Sequence, residues 1–310
     1  MMRLKFVAGA FLLSGVALLH AGGATAGTYN TNNVPVRPIE GSEARQANHM
    51  LFEAAQKGLT EDVKLLLAQG ASVKARDRFG NTALLLAAFS GKHHTVQALL
   101  DAGSAVNHQN LIGSTAIYRA AKGNRKRSVT TLIAAGADIN LPNKKDLTPL
   151  IAAAYNGNTR LFNLFLENGA DPTIMDSYGK TALIYAAGRG FHGIVRTLLD
   201  SGISIDKKYG NDLTVLMWAS GFSNDVPPTE GEETVRMLIE RGADINAHDN
   251  RGWTALSTAA YRNHGGVIRL LIAAGANPNT RSKHGETPLD IARAAGSKAS
   301  IEVLEEKTGG

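Results

Sequence analysis

The sequence predicts an all-α solenoid: stacked helix-loop-helix units joined by short β-turn or hairpin fingers. Three observations predict it. Threonines at Thr82, Thr115, Thr148, Thr181, Thr214, Thr254 and Thr287 stand 33, 33, 33, 33, 40 and 33 residues apart. Glycines at Gly70, Gly103, Gly136, Gly169, Gly202, Gly242 and Gly275 repeat those steps in the same order, the single 40 included. Two markers in one register over seven units signal a repeat array. Hydrophobic residues make up 44% of the chain but aromatics only 6%, which suits a core of Ala and Leu in closely packed helices more than a core of large rings.

From the N-terminus, "MMRLK" supplies Arg3 and Lys5, "FVAGAFLLSGVALL" is an apolar run of 14, and Ala24-Thr25-Ala26 has the small-x-small form of a signal-peptidase site. Fourteen helical residues reach about 21 Å, short of the roughly 30 Å hydrocarbon core. Residues 1–26 are therefore expected to be a cleaved export signal. No later stretch is apolar enough to span a bilayer, so the mature chain has no transmembrane segment on this reading. Residues 27–46, polar with two prolines, read as a flexible leader. Cysteine is absent, which removes disulfides, Cys-ligated zinc and thiol catalysis. Export without cysteine suits a bacterial periplasm, with secretion as the alternative. The formal charge is +6, of which the signal carries +2, so 6 − 2 = +4 remains. That excess is too mild to point to nucleic acid.

Residues 47–307 form the repeat domain, about eight units with the caps. The first, "HMLFEAAQKGLTEDVKLLLAQGASV", has His49 where threonine belongs and no turn before it, as an N-terminal cap requires. In the next, Thr82 leads into Ala83, Leu84, Leu85, Leu86, Ala87 and Ala88, a short helix whose alanines let a neighbour approach. Val96, Leu99 and Leu100 then recur at helical spacing, as do Val129, Leu132, Ile133 and Val195, Leu198, Leu199. The repeat glycine closes each second helix, since it takes the left-handed conformation without a Cβ penalty. Stretches such as "ADINLPNKKDL" then supply the Asn, Asp and Gly of a tight turn. The unit of 40 carries seven extra residues near 224–231, between its helices. The last, "GETPLDIARAAGSKASIEVLEEKTGG", is charged along its second helix and reads as the C-terminal cap.

Helix, loop, helix and turn at 33 residues resembles the ankyrin repeat. The pattern "D-x-x-G-x-T-P-L-H-x-A-A … G-A-D-x-N" appears as Thr148-Pro149-Leu150, Thr287-Pro288-Leu289, Gly136-Ala137-Asp138-Ile139-Asn140 and Gly242-Ala243-Asp244-Ile245-Asn246. The family's histidine is replaced by Leu85, Tyr118, Ile151, Ile184, Met217, Ser257 and Asp290, so its bracing of the turn is supplied otherwise or forgone. The resemblance, to exported bacterial proteins of this kind, implies a binding scaffold without catalytic activity or cofactor.

The residues were read for chemistry on their own terms. Gly179-Lys180-Thr181 lacks the earlier glycine of a phosphate loop, position 174 being Ile. His93, His94 and Asp62 form no ligand pair at helical spacing, and no metal is expected. Asp77, Asp176 and Asp249 sit at turns, where carboxylates bind neighbouring amides. The densest charge cluster, Lys122, Arg125, Lys126 and Arg127 in "KGNRKRS", suits a solvated loop, an acidic partner or anionic lipid heads.

By analogy with the family, partners are met at the turn tips and first helices. The tips offer Phe79, Leu111, Ile112, Lys144, Lys145, Tyr178, Arg251 and Trp253. The first helices offer Phe89, Tyr155, Arg189 and Tyr261, with Tyr185 and Trp218 four residues after their threonines. Aromatic and arginine side chains dominate binding hot spots. Trp218 and Tyr185 also suit gaps between repeats, and the insertion suits either tolerated drift or a lip beside Trp218 and Trp253. The function expected is a non-catalytic, monomeric scaffold in the periplasm that binds another protein through the concave face. The alternatives are an immunity-type inhibitor of a toxin or lipase, or a helper of a periplasmic enzyme such as a catalase.

Overall fold

Each repeat threonine lies in extended backbone, at φ between −99° and −83°, immediately before a helix. At Thr115, Thr148, Thr214, Thr254 and Thr287 its side chain accepts the amide three residues on, at 3.2 to 3.4 Å, the N-cap bond that satisfies an orphan donor. The computed structural model describes residues 41–308, and in it sixteen α-helices form eight pairs. They are α1 Gly41–Lys57 with α2 Thr60–Ala68, α3 Ala83–Ser90 with α4 His93–Asp101, α5 Ala116–Lys122 with α6 Lys126–Ala134, and α7 Pro149–Tyr155 with α8 Thr159–Glu167. Then come α9 Ala182–Ala187 with α10 His192–Asp200, α11 Val215–Ser220 with α12 Pro228–Glu240, α13 Ala255–Tyr261 with α14 Gly265–Ala273, and α15 Pro288–Ala295 with α16 Lys298–Thr308. Among the described residues the only β pairing is the isolated bridge Tyr209–Leu213.

First helices pack on first helices along the row from α1 to α15, and second helices form a row behind them. The repeated alanines explain the close stacking: Ala87, Ala88, Ala120, Ala121, Ala153, Ala154, Ala186 and Ala187 are fully buried. Leu84, Ile117, Leu150, Leu183, Leu216 and Leu256 fill the same layer from one unit to the next. Second helices add Val96, Leu99, Val129, Leu132, Phe162 and Phe165. The aspartate-to-asparagine stretch after each repeat glycine ties successive units together. Asn107 Oδ1 accepts the Asp138 amide at 2.8 Å, Asn140 Oδ1 the Asp171 amide at 2.9 Å, and Asn246 Oδ1 the Asn277 amide at 3.2 Å.

The bracing lost with the family's histidine is replaced locally. Asp290 accepts from both the amide and the hydroxyl of Thr287, at 2.9 and 2.7 Å, and Met217 Sδ accepts the Thr214 amide at 3.4 Å. The hydroxyls of Thr254 and Ser257 bond at 3.3 Å.

Two expectations are corrected. Helix α1 begins at Gly41, inside the stretch read as a leader over 27–46. Ser42 to Gln46 include Glu, Ala, Arg and Gln, good helix formers, with Glu43 at the positive end of the dipole. A polar composition reads as loop, yet one exposed turn added to a helix already packed by Ala47 and Leu51 needs no apolar face. The export signal and the remainder of the leader lie outside the described residues. The insertion near 224–231 is likewise not simply a loop: α12 has 13 residues where α10 has nine, so it extends the second helix by about a turn. Phe222 and Val226 in the remaining loop are buried.

Candidate functional site

The fingers are built from one short polar side chain each. Asp77, Asp176 and Asp249 accept two amides of their own turn through Oδ1, at 2.8 to 2.9 Å; Asn110 and Asn143 do the same at 2.8 to 3.1 Å. Neighbouring tips join through single backbone bonds. The Leu111 amide donates to Phe79 O at 3.0 Å, Lys144 to Ile112 O at 3.1 Å, Ser177 to Lys145 O at 3.1 Å, and Lys283 to Arg251 O at 2.9 Å. The turn carboxylates and amides are therefore consumed inside the fingers, while the next residues project outward.

Those residues are the ones expected to meet a partner, and they fall into three groups. Phe79, Leu111 and Ile112 are 55%, 62% and 60% exposed and line an open groove of about 1020 Å³ with Phe52, Leu86 and Arg119. In the middle, Tyr155 and Tyr185 meet edge to face at 5.8 Å, and the Arg189 guanidinium lies 4.7 Å from the Tyr155 ring. Further on, Trp253 and Tyr261 are 5.6 Å apart, with the Arg251 guanidinium 4.1 Å over Trp253. Between these groups Tyr178, 66% exposed, stands at its fingertip, Lys144 and Lys145 are exposed, and Phe89 is stacked by Arg119 at 4.5 Å.

Trp218 and Tyr185 are half-buried against the core, so they fill space between units as well as facing outward. Lys180 Nζ lies 4.6 Å from the Trp218 ring and 5.7 Å from Tyr185. The Tyr185 hydroxyl donates to Asp176 Oδ2 at 2.5 Å; burial, and then this carboxylate, push the phenol well above its ordinary range. Burial also lowers the Arg119 guanidinium. The indole N–H of Trp218 and the Nε atoms of Arg119 and Arg189 are buried without an acceptor among the described residues, so this face holds unmet donor capacity.

The insertion is held on both sides by neighbouring units. The Ser223 amide donates to Gly188 O at 3.0 Å, Asp225 pairs with Arg189 at 3.3 Å, and Phe222 stacks on His264 at 3.9 Å. Gly188 in turn lies beside the Trp218 ring, a Cβ there falling 4.0 Å from Trp218 Cε3. Sequence reading missed Phe52, Leu86 and Arg119 in the groove. Phe52 lies in the cap, where no threonine marks the register; Arg119, four residues past its threonine, stands at the position that later units give to Tyr185 and Trp218, while the units beside it place Leu86 and Ala152 there.

Among the described residues no group of three or more His, Asp or Glu is placed to hold a metal, and no helix is long and apolar enough to cross a membrane. Family models described as ankyrin repeats match residues 51–143, 126–209 and 150–247 (three copies) and residues 238–292 (many copies). The chain is 37% identical over 100 residues to Ankyrin repeat domain-containing protein 63 of Mus musculus, covering 32% of this chain and 25% of that protein. It is 36% identical over 94 residues to E3 ubiquitin-protein ligase KEG of Arabidopsis thaliana, 30% of this chain and 6% of that one. With Rabankyrin-5 of Homo sapiens the figures are 35% over 80 residues, 26% and 7%. The chain thus matches about a quarter or less of the length of these relatives.

Proposed function

The chain belongs to the ankyrin-repeat family, whose members generally mediate protein–protein interaction, and on that premise we propose that it is a non-catalytic scaffold of the periplasm that binds another protein along its concave face. The observation that carries this reading is the placement of three aromatic and apolar groups along one row of fingers and first helices. They alternate with cations and are left free by turns that satisfy their own polar groups internally. Rings held by neighbouring guanidinium groups lose little freedom on binding and bury much area. The apolar run of 14, the Ala24-Thr25-Ala26 site and the absence of cysteine support export.

Capture from cell extract tests it. A variant carrying Tyr155→Ala, Tyr178→Ala and Tyr261→Ala should bind a partner held by the wild type about a hundredfold or more weakly, each hot-spot truncation costing about 1–2 kcal/mol. Retention at full yield would refute the placement. Release by osmotic shock, with an N-terminus at Gly27, is the outcome expected for export; a chain kept in the cytosol with Met1 intact would exclude it.

A further inference from the structure

Units two and three carry a second surface, on the edge where first and second helices join. From Ala102 to Ala137 the sequence has no Asp or Glu but has Arg119, Lys122, Arg125, Lys126 and Arg127; from Thr82 to Leu100 it has no acid either, and has Lys92, His93 and His94. Stacking brings these loops together, since α4 packs beside α6 and α2 beside α4. A Cβ placed on Gly91 would meet Arg125 Cδ at 2.6 Å, and one on Gly58 would meet Lys92 Cδ at 2.6 Å. Each long stem therefore lies across the glycine of the preceding unit, and Arg125 Nε donates to Phe89 O at 3.0 Å. The rings of His93 and His94 are 4.0 Å apart. Burial, and then the positive charges of His94 and Arg127, lower the His93 imidazole, so these groups share one field.

Two features set this edge apart from an ordinary solvated loop. In unit one, Lys57 and Lys64 are paired with Glu53 and Glu61, at 3.0 and 2.9 Å. Among the described residues none of Lys92, Lys122, Arg125, Lys126 and Arg127 has an acid within ion-pair distance. In addition, His93 and His94 open α4 while Lys126 and Arg127 open α6. The Lys126 and Arg127 charges face the positive end of the α6 dipole, opposite to the stabilising arrangement. Lys122 closes α5, and the Arg125 and Lys92 stems pack across glycines, but none of the five charges has a counter-charge; an anionic surface would offset their mutual repulsion.

We propose that this edge docks on an anionic membrane surface, its cations meeting phospholipid headgroups. The exposed Leu59, 47% accessible and next to Gly58 under the Lys92 stem, reaches the apolar boundary beneath them. A leucine beside the Lys92 stem suits a lipid interface, where an aqueous polyanion would leave it in water, although Glu61 and Asp62 open the helix that follows it. The edge also lacks a free aromatic platform for stacking bases, Phe89 being taken by Arg119.

Co-sedimentation with vesicles tests this. The purified protein should bind phosphatidylcholine vesicles containing about 30 mol% phosphatidylglycerol, and not phosphatidylcholine alone, with binding lost near about 0.5 M salt. The triple variant Lys122→Gln, Lys126→Gln, Arg127→Gln, which spares the packed Arg125 stem and should keep the wild-type circular dichroism, should bind about 10- to 100-fold more weakly. Leu59→Ser should weaken binding a few-fold, and the Tyr155→Ala, Tyr178→Ala, Tyr261→Ala variant should bind vesicles like the wild type. Equal binding by the charge-neutralised variant, equal binding to neutral vesicles, full displacement by millimolar inorganic phosphate, or tighter binding to duplex DNA or polyglutamate than to vesicles would each overturn the proposal.

Discussion

Replacing Asn110 with alanine should destabilise the second finger far more than the size of the side chain suggests. Asn110 is 7% exposed. Its Oδ1 accepts the amides of Ile112 at 3.1 Å and Ser114 at 2.8 Å, and its Nδ2 donates to Asn81 Oδ1 at 2.7 Å. Asn81 in turn donates to Asp77 Oδ2 at 2.9 Å, which fixes its amide orientation and makes Asn110 the end of a chain spanning two fingers. Alanine strands two amides and one carbonyl oxygen, so a loss of about 3 kcal/mol is expected, within about 2–5. Aspartate keeps both amide bonds but sets a second acceptor oxygen against Asn81 Oδ1, so Asn110→Asp should cost about 1–3 kcal/mol. Thermal unfolding should separate them, the alanine variant melting roughly 6–12 °C lower. Hydrogen exchange at the Ile112 and Ser114 amides should quicken in the alanine variant alone. If Asn110→Ala melted within about 1 °C of the wild type, or if exchange at the Ile112 and Ser114 amides quickened as much in Asn110→Asp as in the alanine variant, the role assigned to the buried amide acceptor would be wrong.

Gly113→Ala should cost about 3 kcal/mol or more, because its φ is +76° and a Cβ would lie 2.6 Å from the Lys144 amide of the next finger, whereas Gly136→Ala, at φ +79° with open space, should cost only the left-handed strain of about 1–2 kcal/mol; equal chemical-denaturation midpoints would refute the clash. His264 is stacked on Phe222 and lowered chiefly by burial, with the Arg262 charge adding and the Ser220 carbonyl opposing. Its neutral form is favoured in the folded state, so its contribution is complete above the unfolded value near about 6.5 and is lost as pH falls through that value towards the lower folded one. A His264→Gln variant should show a flatter loss of stability across that window in melts from neutral to acid pH; an unchanged slope would exclude His264 as its source. Phe222→Ala should cost about 3–4 kcal/mol, while Asp225→Ala, breaking an exposed ion pair with Arg189, should leave stability nearly unchanged; the reverse order in urea titrations would show that charge and not packing holds the inserted loop.

The fold was legible because each unit repeats the same solution to the same problem. A threonine that caps a helix and a glycine that ends one are backbone requirements, so they recur in register whatever the surface does. The candidate face was legible in part. Phe79, Leu111, Ile112 and Tyr178 were readable as misfits, apolar residues at turn tips. The pairing of rings with cations was not, because Arg189 and Tyr155 lie on different units and their meeting depends on the rise between helices. Phe222 could not be placed from sequence either: its partners Gly231 and His264 become neighbours only once the insertion lengthens α12. Helix α1 was misjudged over Gly41 to Gln46 because composition reports on solvent exposure, and an exposed helical turn has the composition of a loop.

The inserted segment clasps the units on both sides of its own, through the Gly188 carbonyl behind and the His264 ring ahead. In an array whose members touch only adjacent members, melting is free to start at either end and stop between any two. A clasp reaching both ways makes those three units melt together, so force applied to the chain ends should peel the flanks first and leave a stub around the clasp that yields last, in one step.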